Sequence, residues 1–142
     1  MGAAYARLIG RFRAVGRAVV ERAGVRAGRR VLSAGCGPGA LTAPLVHRLG
    51  ADAVSATDPS APFVAAIGAR FPNIDVRFGV AEHLPLPDQQ CRPGPGPARL
   101  VVRFMADPVR GLREMARVTR PDGVVAACGW DHAREPRSPR HV

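Results

Sequence analysis

The sequence predicts an α/β fold of the Rossmann-like kind, in which a mostly parallel sheet lies between two layers of helices. Short apolar segments alternate along the chain with segments whose apolar residues recur at helical spacing. A glycine-rich run at residues 35–39 follows the first apolar segment and precedes a helical one. Because strands that alternate with helices form parallel sheets with helices on both faces, these observations together predict a three-layer αβα architecture.

The first elements are the most regular part of the chain. Residues 3–22 carry apolar side chains at the i, i+3, i+4 and i+7 positions, which predicts an amphipathic N-terminal helix. Residues 29–34 form a short apolar segment typical of a strand. A helix over residues 41–49 follows the glycines, and Gly50 is suited to cap its C-terminus because glycine tolerates a left-handed backbone.

The remaining elements follow from the same patterns. In chain order, they are a strand over residues 52–57 that ends at Asp58, a helix over 61–70, a strand over 74–78, a helix opened by Asp107 and Pro108 that runs through Val118, a turn at 120–123 and a strand over 124–128. Ser60 is suited to cap the helix over 61–70, and Pro72 ends that helix.

A proline tract interrupts the second half of the chain. Residues 84–98 contain five prolines, and each proline removes a hydrogen-bond donor from a sheet, so we expect a loop or linker. Residues 89–99 in particular should form no central strand, and residues 100–104 suit either a strand or a first helical turn. The length fits one domain over residues 1–130, followed by a disordered tail at 131–142.

The composition restricts the classes of partner and compartment. All 21 basic residues are Arg, and with 11 acidic residues they give a net charge of +10, which attracts polyanions without sequence preference. The Arg residues are scattered, and the set Arg110, Arg113, Arg117 and Arg120 is typical of a solvated helix face. We therefore expect no specific nucleic-acid site.

The cysteine pattern and hydropathy favour a cytoplasmic protein. Cys36, Cys91 and Cys128 are odd in number and form no CxxC pair, so the sequence indicates neither a disulfide framework nor a metal site. This usage suits a reducing cytoplasm. No window approaches the roughly 20 apolar residues of a membrane span, so we expect no membrane anchor or signal peptide.

The glycine run and one acidic residue are the candidate binding elements. Gly35, Gly37 and Gly39 lack Cβ atoms where the chain turns from strand to helix, so a ligand can approach the backbone. Asp58 follows Gly35 by 23 residues, the position from which a carboxylate can accept ribose hydroxyl protons. The alternative for the glycines is a tight turn without a ligand. The alternative for Asp58 is an acid that stabilises the N-terminus of the next helix.

The glycine run does not by itself decide which nucleotide-like cofactor this site would bind. Gly35, Gly37 and Ala40 satisfy the dinucleotide pattern G-x-G-x-x-G/A, but Pro38 lacks the amide that a pyrophosphate would use. The third predicted strand is followed by a turn in which the Ala81 amide could meet an adenine nitrogen. Taken alone, that segment is an ordinary turn.

Considered together, the motifs resemble the class I S-adenosylmethionine-dependent methyltransferases, specifically the small-molecule type 11 group. The matching segments are VLSAGCGPG at 31–39, DPS at 58–60, AEHLP at 81–85, LREMARV at 112–118 and RPDG at 120–123. The resemblance implies that residues 35–39 wrap the methionine part and the ribose of S-adenosylmethionine, that Asp58 grips the ribose, and that Ala81 and Glu82 flank the adenine. The predicted cofactor-binding residues are therefore Gly35, Cys36, Gly37, Gly39, Asp58, Ala81 and Glu82.

The sequence also departs from this family at identifiable positions. Ser33 stands where such proteins usually carry Asp, and Val80 stands where many carry an acid that contacts the adenine amino group. Residues 89–99 lack the apolar character of the fourth strand. We therefore expect a sheet that is incomplete relative to the seven-stranded methyltransferase core.

The expected function is S-adenosylmethionine-dependent methyl transfer to a small-molecule acceptor. The alternatives are a catalytically inactive cofactor-binding fragment and a nicotinamide-dependent oxidoreductase. Alignment of the reactants supplies most of the rate of methyl transfer, so the family implies no required catalytic side chain. His83 and His132 are the candidate bases for an oxygen acceptor, although a surface role explains each of them better.

Overall fold

The computed structural model describes residues 3–88, 105–121 and 123–126, with side chains from residue 13 onward. In chain order, the elements of this part are helix α1 at Ala3–Arg22, strand β1 at Val31–Ala34, helix α2 at Thr42–Leu49, a 3-10 helix at Ala51–Ala53, strand β2 at Val54–Asp58, helix α3 at Ala61–Arg70, strand β3 at Asp75–Phe78 and helix α4 at Pro108–Val118.

The three strands form a parallel sheet in the order β1-β2-β3. Val31 of β1 is paired with Val54 of β2, and Ser55 of β2 is paired with Asp75 of β3. All three strands therefore end at the same edge, and the loops that follow them meet there. The predicted mostly parallel α/β fold is confirmed.

Apolar side chains cover both faces of the sheet, because successive residues of a strand point to opposite sides. Helices α1, α2 and α3 pack on one face, where the buried residues are Val20, Val25, Val31, Cys36, Leu41, Leu45, Val54, Ala56, Ile67 and Ile74. Helix α4 and the segment 84–86 pack on the other face, where the buried residues are Leu32, Ala34, Leu84, Leu86, Met115 and Val118. The result is the expected arrangement of three layers.

Helices α1, α3 and α4 occupy the predicted ranges, whereas the three strands are shorter than predicted. β1 begins two residues later than expected, and β3 begins one residue later. The prediction that a strand begins at residue 52 is wrong, because the 3-10 helix occupies residues 51–53. Gly50 caps α2 with a φ of 86°, and the Ala53 amide then donates to the Gly50 carbonyl oxygen at 3.2 Å. The chain thus makes one more turn before it extends.

The predicted side-chain hydrogen bond at the N-cap of α3 is also absent. Ser60 occupies the N-cap position, but its side chain makes no capping hydrogen bond, and its amide donates to Asp58 Oδ1 at 2.8 Å instead. Asp107 does cap α4, because its carboxylate accepts the Arg110 amide at 3.0 Å.

Several predicted features lie outside the described residues. They include the character of residues 89–99, the strand or turn at 100–104, the tail at 131–142, Cys91, Cys128 and His132. Of the strand predicted at 124–128, the structure describes residues 124–126, where Val124 forms an isolated β-bridge and residues 125–126 are not in a strand. Among the helices that the structure describes, none is both long and apolar enough to cross a membrane.

Candidate cofactor-binding site

The glycine run forms a tight loop between β1 and α2. The Cys36 amide donates to the Thr57 carbonyl oxygen at 3.0 Å, and the Gly39 amide donates to the Cys36 carbonyl oxygen at 3.0 Å. Gly37 has a φ of 50°, a left-handed conformation that favours glycine. A Cβ atom at Gly37 would meet no atom within 4 Å, so this part of the backbone borders open space. A ligand could therefore approach it closely.

Gly39 has a packing role that accounts for the glycine without a ligand. Its φ is 88°, and a Cβ atom there would lie 2.7 Å from Ile67 Cδ1 of α3. The positive φ and the close approach of the Ile67 side chain therefore both favour glycine at this position. Contact of Gly39 with the cofactor remains a prediction.

Asp58, the last residue of β2, connects the loops that follow all three strands. Its Oδ2 accepts the Gly37 amide at 2.8 Å, and its Oδ1 accepts the Ser60 amide at 2.8 Å. Its backbone carbonyl oxygen accepts the Gly79 amide at 3.1 Å. The side chain is largely buried, at 6% exposure. Because each carboxylate oxygen can accept more than one hydrogen bond, Asp58 retains acceptor capacity for a ligand.

The Cys36 side chain is buried in the core rather than directed to the sheet edge. It belongs to the apolar cluster under α1, α2 and α3. Burial, together with the negative charge of Asp58, raises the pKa of the Cys36 thiol to about 12. The thiol is therefore protonated at neutral pH and is a poor nucleophile. Any contribution of Cys36 to the site would come from its backbone.

The loop after β3 is a tight turn whose tip carries Ala81 and Glu82. The His83 amide donates to the Val80 carbonyl oxygen at 3.1 Å, which closes the turn. Glu82 Oε1 accepts the amide of Ala106 at 2.7 Å and the amide of Asp107 at 3.3 Å. The carboxylate thus links this turn to the residues that precede α4.

A pocket opens between these loops at the carboxyl ends of the strands. Its lining residues are Ala34, Gly35, Pro59, Val80, Ala81, Glu82 and Met105. Three predicted site residues, Gly35, Ala81 and Glu82, line it directly. Gly37 and Asp58 are hydrogen-bonded to each other in the adjoining loops, whereas the side chain of Cys36 lies in the core.

The sequence did not identify Pro59 and Met105 as pocket residues. Pro59 directly follows Asp58, so its position after β2 was an available signal. Met105 precedes α4 and comes from a distant part of the chain, and no local pattern distinguishes it.

The candidate base His83 is exposed and is not among the pocket-lining residues. Ser33, at the position where the family usually carries Asp, is fully buried. Its Oγ accepts a hydrogen bond from Thr42 Oγ1 of α2 at 3.1 Å. Ser33 therefore joins β1 to the helix that follows the glycine loop.

Arg117 departs from the prediction of a solvated helix face. Its guanidinium donates to the carbonyl oxygens of Leu84 at 3.2 Å and Leu86 at 3.0 Å, and its Nε donates to Glu114 Oε1 at 2.8 Å. Glu114 Oε2 in turn accepts the Leu84 amide at 2.9 Å. α4 therefore anchors the segment that leaves the turn of Ala81 and Glu82, and this role depends on contacts between residues at least 30 apart in sequence.

A family model and several curated proteins match this chain. Residues 32–127 match the model of a family described as a methyltransferase domain. The chain is 40% identical over 99 residues to an uncharacterized methyltransferase of Mycobacterium tuberculosis, covering 68% of this chain and 38% of the relative. It is 38% identical over 107 residues to a probable S-adenosylmethionine-dependent methyltransferase of Mycolicibacterium smegmatis, covering 69% of this chain and 37% of that protein.

A solved structure shows the same fold. The crystal structure of a SAM dependent methyltransferase from Aquifex aeolicus superposes with a TM-score of 0.69 at 21% identity, covering 87% of this chain and 68% of that one.

The chain spans less than two fifths of the length of the two curated relatives. On the strength of the family match over residues 32–127, the chain belongs to the methyltransferase domain family.

Proposed function

We propose that this chain binds S-adenosylmethionine at the carboxyl edge of its sheet and supports methyl transfer to a small-molecule acceptor. The observation that carries the proposal is the Asp58 carboxylate, which joins the glycine loop to the turn after β2 beside a pocket lined by Gly35, Ala81 and Glu82. The family match and the S-adenosylmethionine-dependent relative support it.

The residues present fit a nucleoside cofactor. Gly37 leaves open space at the loop backbone, where the methionine part and the ribose could approach. Asp58 has acceptor capacity for ribose hydroxyl groups, and the turn of Ala81 and Glu82 offers a wall for a base. When bound, the cofactor supplies an activated methyl group on a sulfonium.

The chain's own contribution to the reaction would be alignment. Methyl transfer is an in-line displacement, so holding donor and acceptor in contact supplies most of the rate. The Cys36 thiol supplies no nucleophile to the pocket, because it is buried and protonated. We place the protein in a reducing cytoplasm, which suits the free Cys36.

Calorimetric titration of the chain with S-adenosylhomocysteine, S-adenosylmethionine and NADH tests the cofactor. We expect both S-adenosyl compounds to bind in the micromolar range and NADH to bind more weakly, because Pro38 removes an amide from the loop that a pyrophosphate would use. Tighter binding of NADH would contradict the proposal and favour an oxidoreductase.

Turnover is a separate question that needs a separate measurement. Incubation with S-adenosylmethionine that carries a labelled methyl group, in the presence of a panel of small hydroxyl, amine and carbon acceptors, would show label in a product. Cofactor binding without transfer to any small molecule, combined with transfer to a protein or nucleic acid, would contradict the small-molecule acceptor.

A further inference from the structure

Met105 forms a wall of the pocket, and hydrogen bonds to Glu82, which lies outside α4, hold the backbone next to it. It lines the pocket together with Glu82 and is partly buried against the core under α4. The next two amides, those of Ala106 and Asp107, both donate to Glu82 Oε1. The main chain beside Met105 is therefore held to the turn after β3, and the thioether side chain remains the adjustable part.

The side chain of Met105 rests against Gly111 of α4. A Cβ atom built at Gly111 would lie 2.6 Å from Met105 Sδ and 3.0 Å from Met105 Cε. Glycine inside a helix is less favourable than alanine, so its presence at this buried position calls for a packing reason. The space that the thioether occupies supplies that reason.

We propose that Met105 is an adjustable wall of the cofactor pocket and that Gly111 is the positioning residue that keeps its side chain out of the pocket. This inference rests on the proposed function. Added bulk at Gly111 would displace the flexible end of Met105 rather than backbone. Because the core lies beside the thioether and the pocket is open, the displaced group would move into the space that the ligand needs.

The test compares four proteins by calorimetric titration with S-adenosylhomocysteine: wild type, Gly111→Ala, Met105→Ala and the double variant. Gly111→Ala should remain folded and lose at least about tenfold in affinity through overpacking of the pocket wall. Met105→Ala should bind about threefold more weakly than wild type, a smaller loss than that of Gly111→Ala, since it removes part of one wall but leaves the pocket open. The double variant should regain the affinity of Met105→Ala, because the displaced group is gone.

A matched control is Gly68→Ala in α3. A Cβ atom there would lie 3.4 Å from Val76 Cγ1, an ordinary contact. This variant should bind S-adenosylhomocysteine as wild type does. Thermal unfolding of each protein separates a loss of folding from a loss of binding. If Gly111→Ala does not fold, the double variant decides, since it should fold and bind.

Three results would overturn the inference. Unchanged affinity in folded Gly111→Ala would show that Met105 does not enter the pocket. A loss that Met105→Ala fails to restore, or a double variant that does not fold, would show that Gly111 acts through another group. If wild type itself binds no S-adenosylhomocysteine, the proposed function fails and this inference fails with it, whereas the first two results leave the proposed function intact.

Discussion

Asp58 illustrates how one residue can serve the loop and the candidate ligand at once. The sequence located this carboxylate by its distance from Gly35. The structure adds that both of its oxygens accept backbone amides, those of Gly37 and Ser60. Since carboxylates that accept amide hydrogen bonds form strong, charge-assisted contacts, Asp58 should organise the loop before any ligand arrives.

Thr57, the neighbour of Asp58, carries a buried hydroxyl that should lower the stability of the fold. It is fully buried, and among the described residues its Oγ1 has no hydrogen-bond partner. An unpaired buried hydroxyl costs about 1–3 kcal/mol, so Thr57→Val, which keeps the shape, should raise the free energy of unfolding by about 1 kcal/mol. Urea denaturation measures this change.

Thr42→Val is the control for this prediction. The Thr42 hydroxyl donates to Ser33 Oγ at 3.1 Å, so its removal should lower the free energy of unfolding by about 1 kcal/mol. A destabilising effect of Thr57→Val equal to that of Thr42→Val would show that the Thr57 hydroxyl has a partner after all.

At the level of elements, Gly16 of α1 packs against Ala40, the residue that follows the glycine loop. The sequence did not indicate this role for Gly16. A Cβ atom at Gly16 would overlap the carbonyl oxygen of Ala40 and lie 2.8 Å from its carbonyl carbon. These are backbone atoms that cannot rotate away. Gly16→Ala should therefore destabilise the fold by about 1–3 kcal/mol, although alanine favours a helix.

Denaturant unfolding of Gly16→Ala beside Gly68→Ala provides the comparison. At Gly68 the added Cβ makes an ordinary contact, so the helix preference for alanine should leave stability unchanged or slightly increased. Equal stability of the two variants would contradict the close packing of α1 on the loop.

Helix α4 holds the segment that leaves the turn of Ala81 and Glu82 through the Glu114–Arg117 pair, and this contact should depend on pH. Hydrogen bonds from Arg117, followed by the hydrogen bond from the Leu84 amide, lower the pKa of Glu114 from 4.5 to about 2. A carboxyl group whose pKa is lower in the folded state stabilises the protein above its unfolded pKa. That stabilisation is lost as the pH falls from about 4.5 towards 2.

The free energy of unfolding should accordingly decrease between about pH 5 and pH 3 by more in wild type than in Glu114→Gln. Glutamine keeps an acceptor for Leu84 but does not titrate, so it isolates the charge. Urea denaturation at both pH values measures the difference. Identical pH dependence in the two proteins would show that the pair does not stabilise the segment.

At the scale of the whole molecule, local patterns predicted the helices, the parallel sheet and the turn that carries the candidate site. The helix ranges 3–22 and 61–70 followed from apolar spacing and proline, and the glycine loop followed from its composition. The start of β2 was less accurate, because the 3-10 helix at Ala51–Ala53 depends on how Gly50 ends α2. That geometry has no distinct residue pattern.

The features that the sequence did not reveal are contacts between distant segments. Gly16 and Gly111 resemble ordinary helix positions until the neighbouring backbone or Met105 is in place. Arg117 fits a solvated helix face by spacing, yet it hydrogen-bonds the segment at Leu84. Such roles depend on tertiary packing, and a single sequence records them only indirectly.

The affinity of Asp58→Ala for S-adenosylhomocysteine tests the central claim most directly, with Asp75→Ala as its control. Asp75 also lies in a strand, but its partner is the half-exposed Arg77 side chain, so its loss should leave binding unchanged. Asp58→Ala should bind about ten- to a hundredfold more weakly than wild type, because it loses charge-assisted hydrogen bonds to the ligand and the loop. Wild-type affinity in a folded Asp58→Ala protein would contradict the account.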